Sequence, residues 1–286
     1  MKTPIQIFSN LLDTLKARGA LYVCPKAIDG VRLGPLVAYA GTYDDGGTPK
    51  HFVGDVYYNF AKVEEYPEIT DHFLSFLVPE LSRCASDLNF DLKSIDVVLG
   101  APMGGIILAA DMARLLGCRR VFAEKKIVVA ATQFSREEAE LIIGRHDIEE
   151  GENVIIVEDL CNNFTTTEQL VGLVDKRKAN VLLLSCAINR SSKQYLKLNE
   201  SALRTVSGLP YFSKQDERIL RVAAALDIPT AQFRQDEPYV ADDVAANNVV
   251  WKAKPEWARL AAAMEAHKSV ELRMPTNEPV DDGSIS

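Results

Sequence analysis

A chain of 286 residues, 47% hydrophobic and 25% charged, is long enough to bury a proper core and is ordinary in composition for a soluble globular protein. Its 32 Lys and Arg against 40 Asp and Glu leave a formal charge of −8, which argues against non-specific nucleic-acid binding, because phosphate backbones demand a basic face. The five cysteines (Cys24, Cys84, Cys118, Cys161, Cys186) include no C-x-x-C pair and the four histidines never approach ligand spacing, which disfavours both structural zinc and a disulfide framework. No apolar run reaches the roughly 18 residues of a membrane span. The N-terminus lacks the charged-then-apolar shape of a signal peptide, so the expectation is a soluble, cytoplasmic protein.

Thr3 and Pro4 offer a cap and a first helical position, and Ile5, Phe8, Leu12 and Leu15 follow at helical spacing, predicting an amphipathic helix over 3–18. Residues 24–66 are rich in Gly, Tyr and Asp. With the turn signal DDGG at 44–47 they predict hairpin-like strands over 36–43 and 51–60. Thr70 and Asp71 open a helix over 70–88 that Pro79 must kink or divide. IDVVLG (95–100) reads as a short buried strand, APMGG (101–105) as a glycine loop, and IILAADMARLLG (106–117) as a helix closed by Gly117. RRVFAEKK (119–126) predicts another strand, and 127–147 an irregular polar segment with a short helix at SREEAELI (135–142). NVIIVED (153–159) is a strand, TTTEQLVGLVDKRK (165–178) a helix whose Thr165 and Glu168 form a capping box, and NVLLLSCAIN (180–189) a strand again. PEWARLAAAMEAHK (255–268) predicts a late helix, with Trp251 and Trp257 anchoring the C-terminal segment, and 274–286 a disordered tail.

Repeated strand–helix–strand units with continuously apolar strands predict an α/β fold, a central parallel sheet flanked by helices. In such sheets ligands sit at the carboxyl ends of the strands. Glu158 and Asp159 end one of those strands. Thr165, Thr166 and Thr167 then lead into a helix N-terminus, where free N–H groups and the helix dipole favour an anion. A phosphate at the loop and two vicinal hydroxyls at the carboxylates lie about a pentose apart, which points to a ribose-5-phosphate cradle. The same residue types also suit a plain helix cap and its dipole partner. Cys161 has no histidine beside it in sequence and reads as a bystander thiol.

The stretch NVIIVEDLCNNFTTTEQLV (153–171) resembles the phosphoribosyl-diphosphate (PRPP) motif of type I phosphoribosyltransferases, a hydrophobic strand ending in two acids before a loop rich in Thr and Gly. VVLGAPMGGIILAADMARLLG (97–117) is similar to the family's strand, pyrophosphate loop and helix, and VFAEKK (121–126) to its next strand, whose lysine faces pyrophosphate. LIIGRHDIEEGENVIIVED (141–159) resembles the approach to the motif in bacterial orotate phosphoribosyltransferases, and INRSS (188–192) and LDIPT (226–230) sit where that subgroup has similar strings. KHFVGDVYYNFAK (50–62) is loosely similar to the base-binding region. The resemblance spans about 50–235 and is strong within 95–190.

It implies a type I phosphoribosyltransferase fold with an N-terminal hood-like region over 1–90, a core over 91–235, a C-terminal extension over 236–273 and the tail. Glu158 and Asp159 would be the catalytic acids, binding ribose hydroxyls directly or through Mg²⁺. Asn162, Asn163, Phe164, Thr165, Thr166 and Thr167 would hold the 5′-phosphate, and Met103, Gly104 and Gly105, with Lys125 adding charge, the pyrophosphate. Tyr57, Tyr58 and Asn59 would line the base pocket. The implied activity moves ribose-5-phosphate from PRPP to a nucleobase, orotate foremost, in a homodimer without nucleic-acid or membrane partners.

Three departures mark the sequence. Phe164 and Thr165 stand where the family has glycines, and a bulky residue forced to φ > 0 costs about 1–2 kcal/mol. IVVAATQFSR (127–136), with Arg136 its only base, replaces a lysine- and histidine-bearing loop, and Asn189 stands where Asp is expected. They leave open a pocket retuned to another base or phosphosugar, or a catalytically inactive PRPP-binding regulator of the same fold. If Phe164 obstructs the phosphate, Phe164→Gly is expected to tighten PRPP binding.

Overall fold

The computed structural model describes residues 4–129, 138–191, 193, 195–198 and 218–268. The chain divides into two units, Met1–Val63 with Pro229–Ser286, and Glu64–Ile228. The boundaries expected from the sequence lay further along, at 90 and 235.

The first unit carries α1 (Pro4–Ala17), β1 (Leu21–Val23), β2 (Leu36–Asp45), β3 (Thr48–Gly54) and β4 (Val56–Tyr58). The far end of the chain adds α6 (Ala241–Ala245), β13 (Val249–Val250) and α7 (Trp257–Ala266), while α2 (Phe60–Glu64) crosses the boundary. The DDGG signal works as expected. Gly46 (φ 59°) and Gly47 (φ 85°) supply the two left-handed residues of a tight turn, and β2 and β3 pair antiparallel on either side. The strand expected over 51–60 is interrupted: β3 ends at Gly54, β4 pairs with β1, and α2 opens at Phe60. β13 joins β2 in parallel, so the C-terminal segment completes a sheet begun near the N-terminus. Its Val250, Ala253 and Leu260 share a core with Tyr22, Cys24 and Val37, against which Trp257 packs; Trp251 stays exposed.

The second unit holds a six-stranded sheet of β5 (Val97–Gly100), β6 (Arg119–Phe122), β9 (Asn153–Cys161), β10 (Asn180–Asn189), β11 (Tyr195–Leu198) and β12 (Arg218–Asp227), in the order β11-β12-β10-β9-β5-β6. The five strands from β12 to β6 run parallel, and β11 pairs antiparallel at the edge. Around it lie α3 (Pro67–Asp87), α4 (Gly105–Leu116) and α5 (Thr165–Lys176), with a 3-10 turn at Leu92–Ser94. All ten residues of β10 are buried, the property its unbroken apolar run predicted. The α/β class with a central parallel sheet and flanking helices is therefore as expected.

Three local readings are corrected. α3 starts at Pro67, whose fixed φ suits a first turn, and Pro79 lies within the helix without dividing it. The single strand expected over 119–126 breaks at Ala123 into β6 and β7 (Glu124–Val129), and β7 leaves the sheet to pair with β8 (Glu138–Ile142). From Glu138 to Ile142 that second strand stands where part of the helix at 135–142 was expected, because Glu138-Ala139-Glu140-Leu141 alternates with period two rather than 3.6; 135–137 lie outside the described residues. Arg136, within 130–137, and the tail over 274–286 lie outside the described residues.

Candidate functional site

β9 delivers the two acids, and strand alternation turns them to opposite sides of the sheet. Glu158 points towards α5. It is 7% exposed, and its Oε1 accepts a hydrogen bond from Thr167 Oγ1 at 3.3 Å, with Thr167 itself 1% exposed. Burial, then the neighbouring Asp159 charge, push the Glu158 carboxyl up to about 8, against the opposing pull of Thr167 and of the Lys125 charge. Asp159 points towards the start of α4. It is half-buried, and its Oδ1 accepts from Leu160 N at 2.9 Å.

The loop between β5 and α4 closes on that carboxylate. A Cβ on Gly104 would overlap Asp159, and one on Gly105 would overlap the Val157 carbonyl oxygen, so both positions require glycine for the approach. Ala101 N donates to Val157 O at 2.8 Å, tying this loop to β9. The tight-packing role of the two glycines is thus explicit, and it is what brings the start of α4 against Asp159. Met103 takes φ 74° with its side chain 76% exposed.

The loop between β9 and α5 contains the residue that departs most from the family pattern. Phe164 is left-handed (φ 61°), yet its ring turns inward, 4% exposed, into the core cluster that includes Ile148 and Leu170. The bulky side chain leaves the loop rather than filling it. Phe164, not Thr165, is the N-cap of α5, with no side-chain cap, so the capping box of Thr165 and Glu168 does not form. Asn163 Oδ1 accepts from Thr165 N at 3.4 Å, and Glu168 N donates to Phe164 O at 2.8 Å. Thr165 N thus has a partner in the loop, and the N–H groups that follow it in the first turn have no intrahelical acceptor, which leaves them suited to an anion. Asn162 and Thr166 are half-buried, and Asn163 and Thr165 exposed. Lys125, on β7, is exposed, and its charge is felt at Glu158.

Glu158, Asp159, Met103, Gly104, Gly105, Lys125 and the 162–167 loop thus all belong to one unit. Tyr57, Tyr58 and Asn59 belong to the other, at the end of β4: Tyr57 lies 6.4 Å from the Trp257 ring, and Tyr58 and Asn59 are buried. Asn189 is explained by its neighbour. Its Nδ2 donates to Asp227 Oδ1 (2.9 Å) and Lys193 O (2.9 Å), and its Oδ1 accepts from Ser191 N (3.1 Å) and Ser191 Oγ (2.7 Å). An Asp here would set two carboxylates against each other. Sequence reasoning did not single out Arg190, a 5%-exposed cation at the carboxyl end of β10 whose N donates to Cys161 O at 2.8 Å. Its position one residue past a buried parallel strand was the available signal. Cys161 is buried, and desolvation first, then its Cys186 neighbour, raise its thiol well above the ordinary range, as suits an inert bystander. Among the described residues no group of three His, Cys, Asp or Glu gathers to hold a metal, and no helix is long and apolar enough to cross a membrane.

Residues 77–206 match the model of the phosphoribosyl transferase domain. The chain is 34% identical over 138 residues to the orotate phosphoribosyltransferase of Thermoanaerobacter sp., covering 48% of this chain and 62% of that protein. It is 30% identical over 158 residues to the orotate phosphoribosyltransferase of Pelotomaculum thermopropionicum, covering 54% of this chain and 72% of that protein. The solved orotate phosphoribosyltransferase of Aeropyrum pernix is 15% identical, with a TM-score of 0.42 over 76% of this chain and 93% of that one. The chain spans about three-fifths of the Thermoanaerobacter relative's length. The domain match covers β5, β9 and both ligand-side loops, and with a relative at 30% identity over 72% of its length, the chain belongs to the phosphoribosyltransferase family.

Proposed function

We propose that this chain transfers ribose-5-phosphate from PRPP to a nucleobase, orotate foremost, and releases pyrophosphate, acting as a cytoplasmic homodimer. The observation that carries this reading is the pair of left-handed bulky residues, Met103 (φ 74°) and Phe164 (φ 61°), in the two loops beside the acids. Such residues seldom take φ > 0, and strain of this kind clusters at ligand sites. Here each sits next to a helix start: Met103 two residues before α4, Phe164 at the N-cap of α5. Two helix N-termini suit two anionic groups, the diphosphate at α4 and the 5′-phosphate at α5.

Asp159, half-buried between them, would hold the ribose hydroxyls and place negative charge near a ring that becomes oxocarbenium-like as the bond to pyrophosphate breaks. Lys125 and the α4 N-terminus would neutralise the leaving diphosphate. The donor set fits Mg²⁺, which takes few carboxylates and shares phosphate oxygens; Asp159 would hold it, and when bound it neutralises diphosphate charge. The relatives named as orotate phosphoribosyltransferases support the choice of acceptor.

The test is pyrophosphate release from PRPP and Mg²⁺ with orotate, uracil and the purine bases supplied one at a time. Release with orotate alone is the expected result. Release with another base would move the substrate, and silence across the panel with PRPP still bound would point to a non-catalytic PRPP-binding protein.

A further inference from the structure

The loop between β9 and α5 carries a bulky residue on a left-handed backbone, with its ring turned out of the loop and into the core. We infer that Phe164 is the positioning residue that preforms the 5′-phosphate subsite, its buried ring holding the loop over 162–167 in binding shape before any ligand arrives; this rests on the ribose-phosphate reading above. Only Asn162, Asn163 and Phe164 separate β9 from α5, and none of them is glycine. Glycine takes either hand of φ about equally readily, so a glycine loop fluctuates until a ligand orders it. A phenylalanine at φ 61° keeps its left-handed turn only where the surroundings over-determine it. Here they do. The ring is 4% exposed and shares a core with Cys161 before the loop, Leu170 and Val171 after it, and Ile148. Backbone hydrogen bonds hold either side: Arg190 N donates to Cys161 O at 2.8 Å, and Glu168 N to Phe164 O at 2.8 Å. The N–H groups of Thr166 and Thr167 follow the Phe164 turn directly, so fixing Phe164 fixes where they are presented to a phosphate. Ordering the loop is then a cost of folding, offset by the ring's burial, rather than a cost of binding.

The experiment is calorimetric titration of ribose 5-phosphate, and separately of inorganic pyrophosphate with Mg²⁺, into the full chain and its Phe164→Leu and Phe164→Gly variants, with melting curves for each. Phe164→Gly is expected to weaken ribose 5-phosphate about fivefold or more, through a less favourable binding entropy, and to leave pyrophosphate within about twofold. Phe164→Leu, which keeps a buried apolar anchor on the same backbone, stays within about twofold of the parent for both ligands. A role in stability alone would lower the melting temperature of Phe164→Gly and leave both affinities of the folded protein unchanged. That result, equal weakening of both ligands, or tighter ribose 5-phosphate binding by Phe164→Gly overturns the inference and leaves the proposed function standing. If the parent chain binds no ribose 5-phosphate, the ribose-phosphate reading falls and the inference with it. Should Phe164→Gly fail to fold, hydrogen exchange at the Glu168 amide of the unliganded parent decides. Protection comparable with the body of α5 is expected there, and protection that appears only with ribose 5-phosphate overturns the inference.

Discussion

At Phe164 two effects oppose each other. The left-handed backbone costs about 1–2 kcal/mol, while burying a phenyl ring stabilises by about 3 kcal/mol. The ring wins, which is why a bulky residue persists where glycine would relax the loop. Phe164→Gly therefore relieves strain but opens a cavity, and a net loss of about 2 kcal/mol is expected, read as a lower melting temperature. PRPP affinity should not tighten, because the ring does not occupy the loop; tighter binding at unchanged stability would contradict this. The sequence shows a Phe in a glycine's place but not where its ring goes, since that depends on Ile148 and Leu170 packing from other segments. Glu158 supplies a second prediction. Its carboxyl is raised from 4.5 to about 8 in the fold, so the folded state holds a proton that the unfolded state has released. Stability is thus greatest below about pH 4.5 and falls as pH rises towards 8, on this group's account. Glu158→Gln, which cannot ionise, should melt higher than the parent at pH 9, by up to a few kcal/mol in stability, and differ little at pH 5.

At the scale of elements, two strand–loop–helix units close on each other through Gly104 and Gly105, and the proposed site lies where they meet. The neighbours that a new side chain would meet predict different outcomes at Gly104 and Gly105. Gly104→Ala meets a movable carboxylate, so Asp159 is displaced; PRPP affinity should fall about tenfold or more with little change in melting temperature. Gly105→Ala meets the Val157 backbone, which cannot move without dragging β9, so stability should fall first, by about 1–3 kcal/mol. Equal effects of the two on stability and affinity would show that this distinction is wrong. The strands and helices around these loops were legible because β5, β9 and β10 are unbroken apolar runs and α4 and α5 keep helical spacing. The break at Ala123 was not, because nothing in RRVFAEKK marks where a strand leaves one sheet for another. Nor was the N-cap of α5, where Thr165 offers the commoner capping residue but Phe164 takes the position.

For the whole molecule, the C-terminal extension proves to be part of the N-terminal unit, an arrangement that pattern reading along the chain cannot reveal because its partners lie some two hundred residues away. A buried ion cluster shows how firmly the ends are joined. Asp55, 4% exposed, takes Lys26 at 2.7 Å and Arg32 at 2.6 Å; Arg32 also meets Asp243 at 3.0 Å and lies 4.1 Å over the Tyr239 ring. Burial pushes the Asp55 carboxyl up, but the hydrogen bonds from Arg32 and Lys26 outweigh it and hold the group below its ordinary value. Asp55→Asn removes the carboxylate shared by Lys26 and the buried Arg32, leaving Arg32 with Asp243 alone, and should cost about 3 kcal/mol, seen as a lower denaturation midpoint. The central claim, that the two loops and Asp159 form a PRPP site, is tested most directly by titrating PRPP with Mg²⁺ into the parent chain and Asp159→Asn, with melting curves for both. The account predicts binding to the parent, weakened about tenfold or more in the variant at an unchanged melting temperature. No binding to the parent, or equal binding to both, would contradict it.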